Sequence, residues 1–124
     1  MARPIRRSLL LTGAAAGLGA SIAATFARAG HDVLGLSRTN RSEHLKRRVE
    51  QSGGIYTHLS CDITQPTDVA AVLQPHAGRI DVFVHNPHVL AIKPFEQTTR
   101  ASLSKRGASH ASARCWPRSL CCRI

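Results

Sequence analysis

Residues Leu9 to Gly19 read Leu-Leu-Leu-Thr-Gly-Ala-Ala-Ala-Gly-Leu-Gly, an apolar run that enters three glycines at positions 13, 17 and 19. Few other sequences constrain a fold so tightly. An apolar run of this length followed by glycine predicts a buried strand, a tight turn and then a helix. Glycine at 13 permits the turn, Gly17 leaves room for main-chain N–H groups to approach a phosphate, and Gly19 lets the helix pack close to the strand. The helix N-terminus adds a positive pole, so the pattern points to a nucleotide site.

Arg3, Arg6 and Arg7 precede the same apolar run, which gives the N-terminus some likeness to a secretory leader, including the twin-arginine kind. Leu9 to Leu11 is too short for a leader's apolar core unless the glycine stretch is counted. The segment instead continues as an amphipathic helix, with Ile22, Ala23, Phe26 and Ala27 at helical spacing, and a second apolar strand follows at 32–37. The expectation is therefore a cytoplasmic protein. No run of eighteen uncharged apolar residues stands in the sequence, so no membrane span is expected.

The chain of 124 residues has room for one core of modest size. Its formal net charge of +10 raises nucleic acid as a partner, but the charge is uneven. Residues 1–99 hold 11 Lys/Arg against 7 Asp/Glu, whereas residues 100–124 hold 6 Lys/Arg and no acid. Two compositions meet near residue 100. Of four cysteines, Cys61 is alone in the first part, and Cys115, Cys121 and Cys122 crowd the second. Adjacent cysteines pair only with strain, and this spacing lacks the two separated pairs of a zinc site.

From Ser8 to Asn86, short apolar runs alternate with longer amphipathic ones, the pattern of βαβ units around a parallel sheet. Strands are expected near 8–12, 32–37, 54–60 and 80–86, and helices near 17–29, 42–51 and 66–74. Gly30 and Gly53-Gly54 punctuate helix ends, and Pro66 suits a first helical turn with Asp68 close behind. Right-handed crossovers then give the strand order 3-2-1-4, an α/β, Rossmann-type, doubly wound sheet in partial form. After Thr99 the apolar spacing stops, and the Ser/Arg/Cys-rich residues 100–124 are expected to form a disordered basic tail.

Thr12-Gly13-Ala14-Ala15-Ala16-Gly17-Leu18-Gly19, Cys61-Asp62-Ile63-Thr64, Ile80 to Asn86 and Lys93-Pro94-Phe95-Glu96 stand in order and at fitting intervals. Together they resemble the N-terminal part of a short-chain dehydrogenase/reductase over residues 5 to about 99. That resemblance implies a nicotinamide dinucleotide, with Thr12, Gly13, Gly17, Leu18 and Gly19 around its pyrophosphate and adenosine side. It places the Asp62 carboxylate at the adenine amino group, the Ile63 main chain at the same ring and Asn86 beside the adenosine ribose. Asp62 capping a turn, and Asn86 satisfying buried backbone, are the purely structural alternatives.

An acid at the end of the second strand would accept hydrogen bonds from a ribose 2′-hydroxyl and repel a 2′-phosphate. Ser37 and Arg38 stand there, with Arg41 one turn on, so NADP is expected in preference to NAD. The family's Asn-Asn-Ala-Gly turn is replaced by His85-Asn86-Pro87-His88, which loses a backbone donor at Pro87 and a glycine at His88. The family's chemistry, by the same resemblance, uses a Tyr, a Lys four residues later, a Ser and an Asn. The single tyrosine here, Tyr56, has Ser60 in that place, and no Asn follows Asn86. No catalytic residue is assigned, and the chain as written is expected to be inactive.

Full-length relatives oligomerise by this resemblance, through helices largely missing here. A half sheet would also expose its fourth strand, so poor solubility is expected. A reading-frame change near residue 100 would account for the composition break, and that is the expectation. Read from each third base, the codons of Cys115-Trp116 give Leu and then Ala, and those of Cys121-Cys122-Arg123 give Leu and then Ser or Pro. The result is compatible with Leu-Leu-Ala-x-Gln-x-Val-Leu-Pro, similar to the family's apolar fourth helix. The competing function is a non-enzymatic basic protein whose tail contacts nucleic acid or another anionic surface. It lacks aromatic interleaving and any nucleic-acid motif.

Overall fold

A computed structural model describes residues 6–39, 42–87, 94–97 and 99–101. Its elements run β1 (Arg7–Thr12), α1 (Leu18–Arg28), β2 (His31–Ser37), α2 (Glu43–Gln51), β3 (Tyr56–Ser60), α3 (Pro66–Leu73) and β4 (Val82–His85). The expected tail lies, apart from Arg100 and Ala101, outside the described residues.

The four strands form one parallel sheet in the order β3-β2-β1-β4, as the alternation of elements predicts. β1 is central, and Leu9, Leu10 and Leu11 are each almost fully buried. That is why its sequence is continuously apolar rather than alternating: helices cover both faces. Leu9, Leu11 and Val33 join Ala20, Ala23 and Ala27 of α1 and Leu45 and Val49 of α2 on one face. Leu10, Leu34 and Leu36 meet Val69 and Leu73 of α3 on the other. The alanine-rich inner stripe of α1 lets that helix approach the sheet closely.

Two strands are shorter than expected. β3 starts at Tyr56, although Val33 N–H still donates to Ile55 O at 2.8 Å. The next contact upstream comes from a side chain, since Asp32 Oδ1 accepts the Ile55 N–H at 3.0 Å. Asp81 stands just before β4 and bonds Ser8 twice: its N–H donates to Ser8 O at 2.9 Å and its carboxylate accepts the Ser8 N–H at 2.7 Å. Arg6 pins the base of the sheet, with Nε 3.0 Å from Asp32 Oδ1.

Candidate cofactor site

At the carboxyl ends of β1, β2 and β4 the chain leaves the sheet through three turns. The turn after β1 depends on Gly13, whose φ of 69° is in the left-handed region. Gly13 and Ala14 N–H groups both point at Leu36 O, at 3.1 and 3.4 Å, tying the turn to the end of β2. Gly17, with φ 85°, starts α1 without any side-chain cap. A Cβ on Gly19 would come 2.8 Å from Gly13 O, so the helix sits as close to the turn as a backbone can. Leu18 is 64% exposed beside it.

From the other side, Asn86 N–H donates to Thr12 O at 3.1 Å and brings the β4 exit over the glycine turn. Thr12 itself is fully buried, its hydroxyl 2.9 Å from His85 Nδ1. These turns, with the exit of β3, frame an open cavity of about 210 Å³ lined by Gly13, Ala15, Leu36, Ser37, Arg38, Thr39, Cys61, Ile63, Asn86 and Pro87. Five of the residues expected from sequence, Gly13, Ser37, Arg38, Ile63 and Asn86, meet there. Thr12, Gly17, Leu18, Gly19 and Asp62 do not line it. Arg41, His88 and Lys93 lie outside the described residues.

Ala15, Leu36, Thr39, Cys61 and Pro87 also line the cavity, although none of them was assigned to the cofactor from sequence. Leu36 and Cys61 end the apolar runs of β2 and β3, and strand ends are where such sheets bind ligands, so that signal was present. Ala15 and Thr39 carry no comparable signal. Cys61 is buried, and burial, followed by the charges of Asp68 and Asp62, pushes its thiol above its ordinary range.

Asp62 is occupied as a turn cap. Its Oδ1 accepts the Thr64 N–H at 2.9 Å and the Thr64 hydroxyl at 2.7 Å. Those two bonds hold the carboxyl below its usual range, and the positive charge of Arg38 adds to the effect. Arg38 therefore has an acid within electrostatic reach, one that belongs to β3's exit rather than to the end of β2. Tyr56 is buried on the α2 side of the sheet with its hydroxyl 3.0 Å from His58 Nδ1, and it does not line the cavity. Among the described residues no group of His, Cys, Asp or Glu could hold a metal ion, and no helix is long and apolar enough to cross a membrane.

Comparison with known proteins gives the same frame. The chain is 34% identical over 87 residues to 2-dehydro-3-deoxy-D-gluconate 5-dehydrogenase of Bacillus subtilis, covering 68% of this chain and 34% of that protein. It is 35% identical over 92 residues to 7alpha-hydroxysteroid dehydrogenase of Escherichia coli, covering 70% and 36%. The chain thus spans about a third of the length of the curated relatives it matches. A short-chain dehydrogenase from Sphingobium yanoikuyae, solved in complex with NADPH, superposes with a TM-score of 0.74 at 28% identity, over 92% of this chain and 47% of the other. A Beutenbergia cavernae protein described as a putative NAD(P)-dependent gluconate 5-dehydrogenase, with NADP bound at low occupancy, gives 0.75 at 28% identity, over 91% and 47%. The family model for the short chain dehydrogenases matches residues 7–106, and this chain belongs to that family.

Proposed function

We propose that these residues form the NADP-binding part of a short-chain reductase whose whole-protein reaction is hydride transfer between NADP(H) and a carbonyl or alcohol. One observation carries the reading: Arg38, exposed at the end of β2, lines the same cavity as Gly13 and Asn86. The site fits the group because glycine lets the backbone pack tightly around the turn, and the space beside Gly17 at the start of α1 is open. A Cβ at 13 would run into the Asn86 and Pro87 backbone. The cavity is smaller than the roughly 300–1,000 Å³ of complete ligand sites. It suits the adenosine end, with the pyrophosphate over the open glycine turn and α1's first N–H groups.

Arg38 would hold the 2′-phosphate through charge-assisted hydrogen bonds, on a turn that the Ser37 hydroxyl closes by donating to Thr39 O at 3.0 Å. Asn86 closes the ribose side. The bound dinucleotide supplies the hydride. The 124 residues contain one tyrosine and no Tyr-x-x-x-Lys, so they contribute binding and orientation rather than proton transfer. The relatives named above act on different substrates, and the residues that select among substrates are not assigned.

Isothermal titration of the full chain tests this reading. NADPH is expected to bind more tightly than NADH, and Arg38→Asp to weaken NADPH by roughly 10–100-fold, the range of a lost charge-assisted bond. Equal affinity for both dinucleotides in the wild-type chain would overturn the preference, and no binding of either would overturn the reading.

A further inference from the structure

Thr12 was expected to touch the cofactor, yet it is fully buried and does not line the cavity. Its hydroxyl meets β4 instead. Thr12 ends β1 and pairs with His85, which ends β4, and the two side chains meet across that rung with Oγ1 2.9 Å from His85 Nδ1. A second bond closes the same rung, since Asn86 N–H donates to Thr12 O at 3.1 Å. Phe83, two residues back and so on the same face of β4, stands with its ring centroid 5.9 Å from that of the imidazole.

The direction of the side-chain bond follows from what a buried hydroxyl needs. Thr12 has one hydroxyl proton to donate, and His85 Nδ1 is the partner its oxygen has among the described residues. A buried donor left unpaired is costly, and a spare lone pair is less so. The hydroxyl therefore donates to a bare Nδ1, and the neutral imidazole carries its proton on Nε2.

One residue further along both strands lies the floor of the cavity. Gly13 and Asn86 both line it, and a Cβ on Gly13 would overlap the Asn86 carbonyl oxygen, so the two backbones touch. A Cβ on Gly19 would lie 3.6 Å from Asn86 Nδ2, which brings the start of α1 to the same place. The alignment of β1 with β4 at the Thr12–His85 rung thus passes to the glycine turn with no residue between.

We propose that His85 is a positioning residue for the dinucleotide: Nδ1 accepts the Thr12 hydroxyl and holds the β4 exit, with Asn86, against the Gly13 turn. This deepens the cofactor reading and rests on it for the ligand, though not for the positioning. Thr12 then serves the cradle from beneath rather than by contact. Asn86 and the glycine turn face the part that NADPH and NADH share, so His85 acts on both dinucleotides, whereas Arg38 acts on the 2′-phosphate.

The test has three readouts on the full chain. In ligand-free ¹H–¹⁵N spectra, His85→Leu is expected to move the Gly13 and Gly19 amides, and Thr12→Val to move that of Asn86. His85→Asn places Oδ1 as far along the side chain as Nδ1, and it is expected to return Gly13 and Gly19 to their wild-type positions although it has no ring. In titrations, His85→Leu is expected to weaken NADPH and NADH alike by about tenfold, with His85→Asn within about twofold of wild type. Long-range ¹H–¹⁵N correlation at neutral pH is expected to place the His85 proton on Nε2. Thr12→Val keeps the side-chain shape, so it serves where His85→Leu fails to fold. Unmoved amides, no rescue by His85→Asn, a proton on Nδ1, or a loss confined to one dinucleotide overturns the inference. A wild-type chain that binds neither dinucleotide overturns the cofactor reading instead, and the amide shifts still decide whether His85 positions the turn.

Discussion

Gly13 and Asn86 meet backbone to backbone: a Cβ on Gly13 would overlap the Asn86 carbonyl oxygen and lie 2.5 Å from its carbon and 2.7 Å from Pro87 N. The end of β1 and the exit of β4 are therefore packed at a distance that only glycine allows, and the floor of the cavity is set there. Gly13→Ala adds both this overlap and the cost of φ 69°. It is expected to lower stability by about 2–4 kcal/mol. Urea unfolding followed by circular dichroism measures it, and a loss under about 0.5 kcal/mol would contradict the packing described.

The pH dependence of Asp62 follows from its two bonds to Thr64. Its folded pKa is depressed, so the unfolded chain takes up the proton first as pH falls. The carboxylate's contribution is present above its unfolded pKa of about 4 and is lost as pH falls through the lower folded value. Asp62→Asn is expected to lower the melting temperature at pH 7 and to match wild type near pH 2. A gap that persists at low pH would mean that the carboxylate charge is not what Thr64 recognises.

Phe83 is 41% exposed on β4, at the end of the described sheet. Large apolar groups exposed in this way favour self-association. Light scattering at micromolar concentration is expected to show wild-type association that Phe83→Glu reduces; a monodisperse wild-type chain would contradict this.

The composition break has a genetic test. The family match ends at residue 106, close to where the acids stop. We propose a change of reading frame in this region. Sequencing genomic DNA through codons 95 to 130 is expected to reveal a second frame that continues into Tyr-x-x-x-Lys. Its absence would remove the proposal.

The fold was legible because its signals are local. The Leu9–Leu11 run, the glycines after it and the Pro66 helix start each name their own element, and the alternation of elements orders the sheet. Cross-strand relationships were not legible. Nothing in sequence spacing shows that Asp81 reaches Ser8 before β4 begins, or that Asp32 reaches Ile55 before β3 begins. The same holds at the site. Arg38 was visible at the end of an apolar run, but the nearness of Asp62 and the support from Ser60 depend on the β2–β3 register, which pairs Ser37 with Ser60. Asp62 carried two readings in the sequence, and the described structure engages it as a turn cap through Thr64.

The central claim is that the turn from Thr12 to Gly19 cradles a dinucleotide, and ¹H–¹⁵N spectra of the full chain during NADPH titration test it most directly. The account predicts saturable shifts concentrated in the amides of Gly13, Gly17, Gly19, Arg38 and Asn86. Shifts confined to residues 100–124, or no shift at any of those glycines at saturating NADPH, would contradict it.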